Sequence, residues 1–151
     1  MSGAGSHTTL SARALLFLRP ARFATLATIN ADGSPHQTVV WYLLRDGGSG
    51  PELVINSLVG RRWPANLRRD ARCGLVVEDG LDYISISALA DEDPDAQHGQ
   101  ADIAAMARRY EEPLEAERLI AVRFRPQRRV SFVLHPTRVH EHWEGSSSPE
   151  A

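Results

Sequence analysis

Residues 23–44 read FATLATINADGSPHQTVVWYLL, and this stretch decides the fold. From Phe23 to Ile29 the side chains divide into two alternating faces, as they do along a β-strand. The turn sequence NADG follows at 30–33, and a second strand pattern rich in valine and aromatic residues runs over 37–44. Two such segments joined by a short turn predict a β-hairpin.

The rest of the chain adds short strands and few helices. We predict helices over 11–18, 64–69 and 101–110, and strands over 53–55, 73–78, 83–89, 119–124 and 130–134. This order favours an α+β, mainly β domain with six or seven antiparallel strands in a small barrel or sandwich. We expect a flexible leader (1–9), one domain (10–143) and a disordered tail (144–151), with the semi-apolar segment 137–143 packing Trp143 on the barrel or a second copy.

Composition excludes several kinds of chemistry. All 17 basic residues among the 151 are arginine, so no lysine can form a Schiff base or serve a phosphate-binding loop. Cys73 is the single cysteine, which excludes an internal disulfide and predicts a reducing, cytoplasmic setting. No apolar run approaches the length of a membrane span, and no secretion signal is recognisable.

Charge is distributed unevenly along the chain. Residues 61–72 hold five arginines and one aspartate, 91–117 hold nine carboxylates and two arginines, and 118–138 hold six arginines and no acid. Nucleic-acid binding is not expected, because the pI is near 6.3 and the arginine runs lack interleaved aromatic residues. The arginine-rich segments are then either solvated surfaces or a binding site for an anion smaller than a nucleic acid.

The segment NSLVGRRWPANL, residues 56–67, carries the strongest chemical signal. A strand ends in Asn56 and Ser57, two guanidinium groups follow at Arg61 and Arg62, and a helix is predicted to begin at Pro64. A helix N-terminus and planar arginine forks both suit phosphate oxygens. The segment therefore predicts an anion site, the alternative being two solvated arginines on a loop.

Five motifs together resemble a known family: FATLATI at 23–29, DGSP at 32–35, VVW at 39–41, GRR at 60–62 and NLRRD at 66–70. They are similar to those of the pyridoxamine-phosphate-oxidase-like flavin and deazaflavin split barrels, nearest the branch that uses coenzyme F420, over about residues 10–130. The resemblance implies a six-stranded antiparallel split β-barrel that forms a homodimer, with cofactor sites at the dimer interface. It also implies an oxidoreductase that transfers a hydride between reduced F420, or FMN, and a small conjugated acceptor.

The same resemblance assigns site residues. Arg61 resembles the family's phosphate-binding arginine, Ser57 a small polar residue near the same phosphate, and the strand 38–41 the one that lies against the cofactor ring. The expected cofactor-binding set is Thr38, Val39, Val40, Trp41, Asn56, Ser57, Arg61, Arg62, Trp63 and Asn66. Trp63 departs from the lysine that many deazaflavin-binding members have there, which leaves a non-catalytic cofactor carrier as an alternative. No match to the C-terminal substrate segment of the true oxidases is found, so their activity is not expected.

Several residues have two possible interpretations. Trp41 is either a core residue or a wall for the cofactor ring, and Trp63 is either buried or a lid, with burial the less natural reading. His36 is a candidate proton donor or a surface histidine. Arg123 and Arg125 either suit a polyanionic cofactor tail or form a solvated strand edge. The sequence HEHW at 140–143 offers too few ligands, so no metal site is expected.

Overall fold

The computed structural model describes residues 8–145. In chain order the elements are α1 (Ala12–Leu18), β1 (Ala24–Ile29), β2 (Pro35–Val40), β3 (Tyr42–Asp46), β4 (Pro51–Leu58), α2 (Arg62–Arg69), β5 (Arg72–Asp79), β6 (Asp82–Asp93), α3 (Ala96–Tyr110), α4 (Pro113–Arg118), a π-helix (Leu119–Phe124) and β7 (Arg129–His142). The predicted flexible leader and disordered tail fall mainly on 1–7 and 146–151, outside the described residues. Thr8, within the predicted leader, donates its backbone N–H to the Pro136 carbonyl at 2.8 Å.

The strands form one antiparallel sheet in the order β2-β1-β5-β6-β7-β4-β3. Strands β2 and β3 stand at its two edges, yet only Trp41 separates them in the chain. The sheet must therefore curl until its edges meet at Trp41, which makes it a barrel. Counting β2 and β3 as one bent strand gives the predicted six, so the split-barrel fold is confirmed.

The predicted hairpin is present, and the predicted strands 73–78 and 83–89 form a second one. Strand β1 pairs with β2 from Ala24↔Val40 to Ile29↔Pro35, and β5 pairs with β6 down to Asp79↔Asp82. Gly33 and Gly80 occupy the turns with φ of +84° and +64°, a region that favours glycine. The continuous strand predicted over 37–44 is corrected to two strands, because the chain crosses from one sheet edge to the other at Trp41.

The protein has a core on each side of strand β4. Ile55 faces the barrel interior with Tyr42 and Phe132, whereas Val54 packs outside the barrel with Met106 and other residues of α3, α4 and the π-helix. Burial of both faces explains why β4 reads as a continuous apolar run instead of an alternating one. The outer layer places α3 beside the end of β4, where the predicted anion segment begins.

The strand predicted over 119–124 is wrong, because the segment is a π-helix that continues α4. Leu119 and Phe124 are both buried in the core outside the barrel, with Met106 of α3, while Val122 is exposed. Their five-residue spacing matches a π-turn and not the period of a strand. Gln100 of α3 holds the segment's end by donating to the Phe124 and Gln127 carbonyls at 3.0 and 2.6 Å.

Residues 137–142 belong to β7 and not to a separate tail. β7 pairs with β6 along its length, from Asp93↔Ser131 to Tyr83↔His142, with one irregularity at Ser87/Ala88. Trp143 then packs edge-on against Phe17 of α1, with ring centroids 5.1 Å apart. None of the helices within 8–145 is long and apolar enough to cross a membrane.

Candidate functional site

A cavity of about 220 Å³ lies where the β2–β3 corner, the start of α2 and the outer helices meet. Its walls come from four parts of the chain that are distant in sequence: 39–41, 56–63, 103–106 and 123–129. It is lined by Val39, Val40, Trp41, Asn56, Arg61, Trp63, Ile103, Met106, Arg123, Phe124, Gln127 and Arg129. Six of the ten residues predicted to bind a cofactor are in this set.

The other four predicted residues lie elsewhere. Arg62 and Asn66 line a separate, open depression beside the β1–β2 turn. Ser57 is buried and alternates with Asn56 along β4, so it faces the barrel interior. Thr38 is half-buried on β2 and lines neither space. The two neighbouring arginines of the GRR motif therefore do not converge on one ligand, and only Arg61 reaches the cavity.

Arg129 is the charged cavity residue that the sequence patterns did not indicate. Its Nε–H donates to the Asn56 Oδ1 at 2.9 Å, and its Nη1–H donates to the Gln127 Oε1 at 2.8 Å. The guanidinium carbon lies 5.3 Å from the centroid of the Phe124 ring. These contacts are all with neutral groups, so they fix the side chain without cancelling its charge.

The electrostatics of the cavity are those of an anion site. Arg61, Arg123 and Arg129 line it, and in the described part of the chain no carboxylate oxygen comes within 4 Å of any of the three. Burial, and then the charges of Arg61 and Arg123, lower the pKa of Arg129 to about 10. Arg129 stays charged at neutral pH. A bound anion would therefore relieve the repulsion among the three guanidinium groups.

Two other arginines of the 61–72 block, Arg68 and Arg72, already form ion pairs with carboxylates. Arg68 binds Glu92 with an N–O distance of 2.8 Å, and Arg72 binds Asp70 at 2.8 Å. The side chain and the backbone N–H of Arg72 both donate to the Asp70 carboxylate, and these hydrogen bonds hold the pKa of that carboxyl at about 2. These pairs are surface ion pairs and account for part of the basic block without any ligand.

Asn56 is held in one orientation by a buried network. Its Nδ2 donates to the Gly99 carbonyl at 2.9 Å and to the Ser131 Oγ at 3.0 Å, which leaves Oδ1 for Arg129. The Ser131 hydroxyl in turn donates to the Asp102 Oδ2 at 2.6 Å. A Cβ on Gly99 would lie 2.4 Å from the Arg129 carbonyl oxygen, so only glycine allows α3 to approach β7 this closely.

An aromatic stack borders the cavity at the β2–β3 corner. The Trp41 ring stacks on Tyr110, with centroids 5.0 Å apart and planes at 5°, and the Phe23 ring also stacks on Tyr110, at 6.0 Å. The Tyr110 hydroxyl donates to the Arg22 carbonyl at 2.6 Å, which fixes its ring. Trp41 is half-buried, so it is a supported wall of the cavity and not an interior core residue.

Trp63 is buried and packs against Phe132 with centroids 5.6 Å apart. The expectation that burial would be unnatural here is wrong, because α2 turns its apolar residues Trp63 and Leu67 onto the barrel. A ring fixed in this way contributes an edge to the cavity but cannot close over it. The Ser57 Oγ, inside the same core, has no hydrogen-bond partner within residues 8–145.

The histidine candidates lie away from the cavity. His36 is half-buried on β2 and is not among the lining residues, so its role as a proton donor stays a prediction. His142 stacks on Tyr83 at 5.1 Å, and the Tyr83 hydroxyl lies 3.4 Å from the His140 Nε2. In the portion of the chain that the structure covers, no group of three or more His, Cys, Asp or Glu could hold a metal ion.

Solved structures with a similar fold belong to proteins of different kinds. A conserved hypothetical protein of Mycobacterium tuberculosis is 25% identical with a TM-score of 0.72, over 91% of this chain and 86% of its own. An F420 reductase is 23% identical with a TM-score of 0.62, over 82% and 92%. HutZ, the heme storage protein of Vibrio cholerae, is 18% identical with a TM-score of 0.61, over 89% and 95%. The last two share the fold alone.

The sequence itself gives a more specific comparison. No curated protein matches it significantly. The family model described as pyridoxamine 5'-phosphate oxidase, in contrast, matches residues 10–143, a range that includes every strand and the whole cavity. With this match and the split-barrel fold, the chain belongs to the pyridoxamine 5'-phosphate oxidase family.

Proposed function

We propose that the chain binds a flavin-type cofactor in this cavity, F420 in preference to FMN, and acts as an oxidoreductase on a small conjugated acceptor. The observation that carries the proposal is the convergence of Arg61, Arg123 and Arg129, without a carboxylate partner, beside the Trp41 wall. A phosphate group and a flat ring system on one molecule match these two features. Both F420 and FMN combine them.

The residues present fit such a cofactor in defined roles. Arg129 would bind the phosphate from the inner end of the cavity, and the exposed Arg61 and Arg123 would bind it from the rim. Trp41, braced by Tyr110, would support the ring. Three cationic groups exceed what one terminal phosphate requires, which favours F420 because its tail carries further anionic groups than FMN.

The cofactor, when bound, supplies the hydride chemistry, and the chain supplies orientation and charge. Arginine is the only titratable residue type among the described residues that line the cavity. These side chains hold anions and do not exchange protons near neutral pH. A bound cofactor would therefore transfer its hydride without a nucleophile from this lining, and any proton would come from solvent or from outside the cavity.

The proposal includes a homodimer. The cavity of about 220 Å³ is smaller than the roughly 300–1,000 Å³ of pockets that enclose a cofactor-sized ligand, so one chain supplies only part of the site. Val39 and Val76 flank Thr25 on the outer face of the sheet, and Phe23 follows on the same face. These three apolar side chains are exposed, and the patch reaches the cavity at Val39. A second copy seated there would complete the site.

A non-catalytic carrier is the second candidate. The absence of an acid or base from the described lining of the cavity favours it, as does the loss of a lysine at Trp63. Carrier and enzyme differ in turnover, not in binding. A cytoplasmic location, expected from the single cysteine, is part of both proposals.

The adjacent arginines allow a matched test. We would titrate purified protein with F420 and with FMN, following absorbance and tryptophan fluorescence, for Arg61→Gln and Arg62→Gln. Arg61→Gln should weaken binding about tenfold or more, since it removes a charge-assisted contact, and Arg62→Gln should stay within about twofold. Equal losses of cofactor affinity in the two variants would refute the placement of the site. If the wild-type protein binds neither cofactor, the proposal is refuted.

Turnover is measured on the protein that binds. Reduced cofactor is mixed with quinone and enone acceptors, and its oxidation is followed by absorbance. Faster oxidation than in the protein-free reaction supports the enzyme. Tight binding without acceleration across these acceptors would support the carrier.

A further inference from the structure

We propose that Asp102 is a positioning residue for the anion site, acting on Arg129 through Ser131 and Asn56. The inference rests on the proposed function for the identity of the ligand, but not for the positioning itself. Asp102 is buried in α3, does not line the cavity, and connects to it by three consecutive hydrogen bonds of 2.6, 3.0 and 2.9 Å.

The donor and acceptor atoms of the network fix the direction of each hydrogen bond. A carboxylate only accepts hydrogen bonds, so the Ser131 hydroxyl must give its single proton to Asp102. The Ser131 oxygen is then left as an acceptor, and the Asn56 amide nitrogen must face it. Asn56 thereby turns its carbonyl oxygen toward the Arg129 Nε–H. The Gly99 carbonyl accepts from the same amide nitrogen and supports the same orientation.

Asp102 has its own counter-ion on the far side of the network. The Arg45 Nη1 lies 2.6 Å from the Asp102 Oδ1, and Glu52 lies 3.4 Å from the same guanidinium. The negative charge of Asp102 is thus balanced by Arg45 and not by Arg129. If a carboxylate contacted Arg129 directly, it would compete with a phosphate, whereas the neutral Asn56 orients Arg129 and leaves its charge available.

The first test uses the ligand-free protein. NMR of ¹⁵N-labelled arginine side chains reports the exchange of the Arg129 Nε–H with water, which is slow when the proton is hydrogen-bonded. In Asp102→Asn, Ser131 becomes free to donate toward Asn56 and to compete for its oxygen. We expect the Arg129 exchange rate to rise about tenfold in that variant and less in Ser131→Ala, which only removes a partner.

Glu52→Gln is the matched control, because it makes the same carboxylate-to-amide change next to Arg45 but outside the network. Its Arg129 exchange rate should equal that of the wild type. The inference is overturned if Asp102→Asn leaves the exchange rate unchanged in a folded protein, or if Glu52→Gln raises it equally. If Asp102→Asn does not fold, Ser131→Ala is measured in its place. An unchanged Arg129 exchange rate in Ser131→Ala overturns the inference as well.

The second test measures coupling in the loaded protein. Asp102→Asn should weaken F420 or FMN binding about fivefold in the wild-type background and leave it unchanged in an Arg129→Gln background, because the effect passes through Arg129. A merely structural role would weaken binding equally in both backgrounds, and that outcome overturns the inference. If neither cofactor binds the wild type, the proposed function fails, while the exchange measurement still decides the positioning.

Discussion

Replacing Arg129 by glutamine separates the functional from the structural value of this side chain. The lowered pKa of this half-buried side chain, about 10, corresponds to about 1–2 kcal/mol against the charged side chain in the ligand-free protein once solvent screening is allowed for. The substitution also removes the Gln127 hydrogen bond and the Phe124 ring contact, which together contribute about 1–2 kcal/mol. The glutamine Nε2–H stands in the place of the arginine Nε–H and can keep the hydrogen bond to Asn56. We expect the free energy of unfolding to stay equal or to rise by about 1 kcal/mol.

Cofactor binding should change in the opposite direction. Arg129→Gln removes the innermost charge of the site, so affinity for F420 or FMN should decrease about tenfold or more. Urea unfolding followed by circular dichroism gives the stability, and calorimetric titration gives the affinity. Arg128→Gln, the same change at the exposed neighbouring residue, should alter neither. The reasoning is refuted if Arg129→Gln lowers the unfolding free energy by more than about 2 kcal/mol or leaves the affinity intact.

Three further predictions concern the surroundings of the site. Gly99→Ala should cost about 1–3 kcal/mol of stability and weaken cofactor binding, since its Cβ would push α3 away from Arg129. Cofactor binding should quench tryptophan fluorescence, and Trp41→Phe should remove most of that quenching. The His98–Asp93 pair, 2.8 Å apart, raises the pKa of His98 above 6.5. The pair stabilises the folded protein fully below about pH 6.5, and this stabilisation is lost as the pH rises through the raised pKa of His98. His98→Asn should therefore lower the melting temperature at about pH 5.5 but not at about pH 8.5.

Each of these has a control in the chain. Gly74→Ala is matched to the glycine change, because its Cβ would have ordinary contacts at 3.9 Å, and it should leave cofactor affinity unchanged. Trp143→Phe alters a tryptophan remote from the cavity and should preserve the quenching. A melting-temperature loss that is equal at both pH values would contradict the account of the histidine pair.

The hairpins and the family motifs were predictable because their signals are local. Alternation over 23–29 and turn glycines at Gly33 and Gly80 act within a few residues, and the structure follows them. The segment 119–124 shows the limit of this reasoning. Its apolar residues, with Arg123 placed between Val122 and Phe124, fit a strand, but packing on α3 makes it a π-helix, and that contact has no local signal.

The sequence by itself determined a mainly β barrel and the absence of lysine chemistry, and it predicted an anion-binding segment that contains Arg61. Only the tertiary structure decided that Arg62 lies outside the cavity, that Trp63 is buried and that Arg129 lines the same cavity as Arg61. The partners explain why: Arg129 and Asn56 are 73 residues apart, and Ser131 and Asp102 are 29 apart. Such pairs meet through strand register and the approach of α3 at Gly99, which no window of sequence contains.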